Sequence, residues 1–148
     1  MAVRRAVLGD EHVDRAQART TDFTADFQDF ITRCAWGEVW TRPGLDRRMR
    51  SAITLAVLMT LRAEEEIAMH VRAALRNGLT PDEIGEVLLH GAIYAGVPAA
   101  NTAFAVAQRV IAETDTDGCA APSRWPCSRR SGTRASWACT CAPRCATG

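Results

Sequence analysis

From Phe23 to Ile111 apolar side chains recur three and four positions apart, and no stretch alternates apolar with polar for long enough to make a strand. That spacing confines the chain to helices packed on helices, an all-α architecture. Asp10 is expected to cap a short first helix. Thr21 or Asp22 is expected to cap a second, with Phe23, Phe27, Phe30 and Ile31 on one face. Thr41-Arg42-Pro43-Gly44 then turns the chain. Asp46 is the expected N-cap of a helix bearing Met49, Ala52, Ile53, Ala56, Val57, Thr60 and Leu61. This helix is apolar on nearly every side after Arg50, so it is expected at the centre of the core. The next runs from about Ala63 to Arg76, with Glu64, Glu65 and Glu66 at the positive end of its dipole, Arg72 and Arg76 at the other, and Asn77-Gly78 as its stop. Thr80-Pro81-Asp82-Glu83 has the form of a capping box with proline at the first helical position. An apolar face of Ile84, Val87, Leu88, Ala92 and Tyr94 follows, to Gly96. Val97-Pro98 restarts a last helix that reaches Ile111. The expected fold is a bundle of about six helices.

The character of the sequence changes near Asp117. Residues 1–117 hold 13 arginines and all 17 acids, a net −4, whereas residues 118–148 hold 5 arginines and no acid, a net +5. The division expected is a helical domain over 1–117 and a Cys/Arg/Ser/Pro-rich tail over 118–148. The tail has no apolar periodicity and no Lys, Ile, Leu or Val, and it resembles a GC-rich gene translated out of frame. It is expected to be disordered, without a function of its own. Its Cys139-x-Cys141-x₃-Cys145 lacks the paired ligand spacing of a zinc site, so no metal is expected. The overall charge of +1 leaves no basic footprint for nucleic acid. No apolar run approaches the ~20 residues that span a bilayer. The first 30 residues carry six acids and no apolar signal core, so a soluble, cytoplasmic protein is expected.

Few side chains in the helical part can carry chemistry. Cys34, beside Ala35 and Trp36, reads as a small core residue. There is no Cys-x-x-Cys, no Gly-rich phosphate loop and no His-Glu-x-x-His, and Ser51 is the lone serine of residues 1–117. His70 falls at the edge of the stripe of Ile67, Val71 and Ala74, one turn after Glu66. A carboxylate there can orient the ring and raise its pKa, and the same position also suits a histidine bonded to solvent. His90 and Tyr94, four apart, suit either a site or a subunit contact. Trp36-Gly37-Glu38-Val39-Trp40-Thr41-Arg42-Pro43-Gly44-Leu45 brings aromatic walls, a carboxylate and a guanidinium within ten residues. That mixture suits a small-molecule pocket, although Trp36 and Trp40 could equally pack inward.

Several blocks together resemble the carboxymuconolactone decarboxylase family of the alkylhydroperoxidase-D-like superfamily. They are Trp36-Gly37-Glu38-Val39-Trp40-x-Arg42-Pro43-Gly44-Leu45, Arg47 to Ile53, His70-Val71-Arg72-Ala73-Ala74, Gly78 to Ile84, and Leu88-Leu89-His90-x-Ala92-x-Tyr94-x-Gly96-Val97-Pro98-Ala99-Ala100-Asn101. The likeness spans about residues 5–115 and leaves out the tail. It implies an all-α alkylhydroperoxidase-D-like fold assembled as trimers or hexamers, with sites near subunit contacts. It also implies a cofactor-free reaction, the decarboxylation of 4-carboxymuconolactone to an enol-lactone in the β-ketoadipate pathway of aromatic catabolism. On this reading Arg42 and Arg50 bind the carboxylates of a small lactone, and His70 transfers a proton or stabilises an oxyanion. Glu38 tunes or relays, His90 and Tyr94 are further donors, and Trp40 lines the pocket. Arg33 and Arg72 are surface or interface charges. The peroxidase branch of the superfamily uses Cys-x-x-Cys ahead of the histidine. Here those positions are Ala63 and Glu66, and neither offers the thiolate needed to attack an O–O bond. A non-catalytic helical oligomer is the remaining alternative.

Overall fold

The computed structural model describes residues 1–117, and the expectations placed on the tail lie outside them. The described chain is helical: α1 (Ala2–Leu8), α2 (Asp10–Ala18), α3 (Ala25–Ile31), a π-helical segment (Thr32–Val39), α4 (Arg47–Leu61), α5 (Glu64–Arg76), α6 (Pro81–Ala95) and α7 (Val97–Asp117). Seven α-helices therefore stand where about six were expected. The extra one arises at Gly9, whose φ of 88° ends α1 and starts α2. Asp10 is the first residue of α2 and not the cap of the first helix. Thr24 stands at the N-cap of α3, while Thr21 and Asp22 lie in the turn ahead of it.

The caps that carry complete side-chain signals form as expected. The Asp46 carboxylate accepts from the Met49 N–H at 2.7 Å. The Glu83 N–H donates to Thr80 Oγ1 at 3.2 Å and the Thr80 N–H to Glu83 Oε2 at 2.8 Å, closing the capping box. Arg48 ties this start to α4, donating to Glu83 and to the Gly78 carbonyl, each at 2.5 Å.

Helices α4 to α7 enclose the main core, in which Leu55, Met59, Ile67, Val71, Ile84 and Leu88 are fully buried against an alanine-rich face of α7. Gly91 lets α6 approach α4, because a Cβ there would stand 2.3 Å from Met59 Cε. Helix α4 is not surrounded by core. Ser51, Leu55 and Met59, four apart, point inward, and Ile53, Val57 and Leu61 lie on the other side, with Val57 50% exposed. The apolar excess of this helix thus marks two faces, of which the single chain buries one. Tyr94, expected on the buried face of α6, is 77% exposed, and its neighbour Ile93 is 80% exposed. A second, smaller cluster of Val7, Leu8, Val13, Trp36 and Ala73 fastens α1, α2 and the π-helical segment onto α5.

Candidate active site

The π-helical segment holds the first part of the site. Its bonds reach back five residues, as in Trp40 N–H to the Ala35 carbonyl at 2.9 Å, a geometry that is rare and concentrated at functional positions. It carries Trp36 and Trp40 on one side, where the rings stack with centroids 5.2 Å apart. Trp36 is buried, and Trp40 packs on the same cluster as Met69 and Ala73. Those two residues stand on either side of His70 in the sequence of α5, so the tryptophan cluster packs on the stretch of helix that carries this histidine.

His70 is half-buried, and burial holds its pKa down at about 4, with the nearby His12 lowering it further and Glu66 raising it. The expected upward pull of Glu66 is therefore present and outweighed by desolvation. Glu66 is exposed and makes no hydrogen bond to the ring. The result is a neutral imidazole at pH 7, available as an N–H donor and as a proton acceptor. His12 is also shifted down, first by burial and then by Arg15, Arg4 and Arg76 around it.

Arg42 and Arg50 meet at the start of α4. Arg50 Nη2 donates to the Arg42 carbonyl at 2.9 Å, and Arg50 Nε is buried with no hydrogen-bond partner among the described residues. Arg50 has no carboxylate partner among the described residues, so its charge is left without a counter-ion there. The end of α4 that bears Arg50 is joined to the C-terminal end of α5 by Asn77 Nδ2 donating to Ser51 Oγ at 2.9 Å. Glu38, Arg42 and Arg50 form no ion pair among the described residues. Glu38 is exposed and pairs with neither Arg42 nor Arg50. Its carbonyl accepts from Thr41 Oγ1 at 3.0 Å, while its carboxylate makes no hydrogen bond with a described residue.

His90 and Tyr94 stay apart from this group. Their rings touch each other at 5.4 Å on the exposed side of α6, and neither forms a hydrogen bond to another described residue. Within one chain, then, Arg50 reaches the backbone of Arg42 and Trp40 packs with Met69 beside His70 in sequence, whereas Glu38, His90 and Tyr94 are exposed. Arg33 pairs with Asp29 and Arg72 with Glu113, as surface charges. Sequence reasoning missed His12 as a neighbour of His70 and Arg76 as a neighbour of His12. Helices α2 and α5 are distant in sequence, and no spacing rule links them.

A family model described as the carboxymuconolactone decarboxylase family matches residues 25–109. The chain is 52% identical over 110 residues to a 4-carboxymuconolactone decarboxylase of Acinetobacter baylyi, covering 74% of this chain and 82% of that protein. It is 46% identical over 109 residues to the nitrosuccinic acid decarboxylase npaB of Metarhizium robertsii, covering 74% and 76%. A 38-residue stretch is 58% identical to a 4-carboxymuconolactone decarboxylase of Pseudomonas putida, covering 26% of this chain and 79% of that protein.

Proposed function

The chain belongs to the carboxymuconolactone decarboxylase family, and from that membership we propose that it is a carboxy-lyase converting 4-carboxymuconolactone to the enol-lactone in aromatic catabolism. The observation that carries this reading is the 52% identity to the Acinetobacter baylyi decarboxylase over most of both chains. A thiol-dependent peroxidase is not favoured, because Ala63 and Glu66 replace the cysteines and Cys34 has no second described cysteine to resolve it.

The substrate carries its own electron sink. The C–C bond to the departing carboxylate breaks and CO₂ leaves. The electron pair passes through the ring C=C onto the lactone carbonyl oxygen. A proton is then added at the ring carbon α to that carbonyl, so one proton is consumed per CO₂ released. The protein has to hold anions, stabilise the enolate oxygen and deliver the proton.

Arg42 and Arg50 grip a carboxylate, supported by the unfilled Nε of Arg50. His70, neutral in the free protein, gains proton affinity when a dianion settles beside it, because opposite charge favours the imidazolium. It then donates to the enolate oxygen and passes its proton to the ring carbon. Trp40 and the π-helical segment exclude water from one side. Glu38, His90 and Tyr94 act where a second copy of the chain covers them, the protein working as a trimer or hexamer. The exposed apolar face of α6 around Ile93 supports that assembly.

Incubation of the full-length protein with the lactone is expected to release CO₂ in step with loss of the substrate's ultraviolet absorbance. Turnover of nitrosuccinate and not of the lactone would overturn the choice of substrate. Turnover of neither would overturn the activity.

A further inference from the structure

A cavity of about 920 Å³ opens between α2, the C-terminal half of α5 and α7. Charged side chains surround it, but most are already committed. Asp10 pairs with Arg5 at 3.1 Å, Glu11 with Arg15, and Glu113 with Arg72 at 2.6 Å. Two basic groups in the wall are not. Arg76 has no acid partner among the described residues, and its Nη1 donates to the Val7 carbonyl at 3.5 Å. Its guanidinium lies flat against Gly9, where a Cβ would come within 2.9 Å, so the missing side chain at this left-handed residue admits it. His12, half-buried in the same wall, forms no side-chain hydrogen bond with a described residue.

The cavity adjoins the catalytic candidate. Met69 and Arg72, which bracket His70 on α5, both line it. The Ser51–Asn77 bond brings the Arg50 end of α4 to the residue that follows Arg76. An anion seated against Arg76 and His12 would thus have His70 on one side and the Arg42–Arg50 corner at the same end of the α4–α5 pair.

We propose that this cavity is the subsite for the carboxylate that the substrate keeps, with Arg76 and His12 as the residues that recognise it. The inference rests on the reading of the chain as a decarboxylase of a lactone dicarboxylate. A cation on the departing carboxylate loses its grip as that charge moves into the ring. One on the retained carboxylate keeps its full attraction through the transition state and so binds without opposing the reaction. The Arg42–Arg50 corner is then left to orient the group that departs.

The test is calorimetric titration with the saturated lactone dicarboxylate, which lacks the ring C=C and cannot lose CO₂, and with its ester blocked at the side-arm carboxylate. Arg76→Gln and His12→Gln are each expected to weaken binding of the dicarboxylate about tenfold or more, the usual cost of a lost charge-assisted hydrogen bond. Arg76→Lys is expected to recover part of that loss. The blocked ester is expected to bind the wild type and all three variants alike, which also shows that the variants remain folded. Undiminished dicarboxylate binding by both glutamine variants would overturn the proposal. So would equal loss of dicarboxylate and ester, or no binding of the dicarboxylate by the wild type. Failure of the wild type to turn over the unsaturated lactone would remove the proposed reaction, while the titration would still decide the subsite.

Discussion

His70 shows how a single side chain couples the fold to the chemistry. Spacing placed it at the edge of a helix stripe, one turn after Glu66, and the structure places it there. The direction of its pKa was not legible, because burial in the folded chain is a tertiary effect that an i−4 carboxylate does not outweigh. An unfolded histidine takes up a proton near pH 6.5, whereas this one does so only at about 4, so its contribution to stability is complete above pH 6.5 and falls as the pH drops toward 4. The full loss is about 3 kcal/mol. Urea unfolding at pH 7 and at pH 4.5 is expected to show a smaller acid loss in His70→Gln than in the wild type, and equal losses would contradict the shift. Arg50 is legible as a residue type, but its unfilled Nε is not. Arg50→Lys is expected to raise KM about tenfold with a smaller change in kcat, since a point charge cannot reproduce the two-pronged grip. An unchanged KM would remove it from substrate binding.

At the scale of elements, legibility follows how local the cause is. The starts of α4 and α6 are written in side chains that bond three residues away, and both form where the sequence puts them. Thr80→Ala is expected to cost about 1 kcal/mol in chemical unfolding while leaving turnover intact, as loss of a helix cap should. A cost near zero would mean that Arg48 alone holds the Glu83 end. The division of α1 from α2 depends on one glycine with positive φ, and a capping pattern read at Asp10 passes over it. The π-helical segment has no periodicity that separates it from an α-helix. Trp36 and Trp40 of this stretch pack with residues of α1 and α5, contacts that exist only in the tertiary fold.

Across the whole molecule, the all-helical class was legible, but the arrangement of the apolar residues was not. A helix that is apolar on all sides reads as central, yet α4 leaves Ile53, Val57 and Leu61 in solvent, and α6 does the same with Ile93 and Tyr94. Faces of this kind on a single chain are the ordinary mark of a contact between copies. Sedimentation is therefore expected to show an assembly for the wild type and a smaller species for Ile93→Asp with unchanged helical circular dichroism. A monomeric wild type would contradict the shared-site reading of His90, Tyr94 and Glu38. The account as a whole stands on His70 supplying the proton to a substrate that accepts its own electrons. The most direct test is the kcat for CO₂ release from 4-carboxymuconolactone by His70→Gln beside that of the wild type. A fall of ~10²–10⁴-fold, the usual contribution of a positioned acid, is expected with assembly and helical content unchanged. Near-wild-type turnover in that variant would contradict the account.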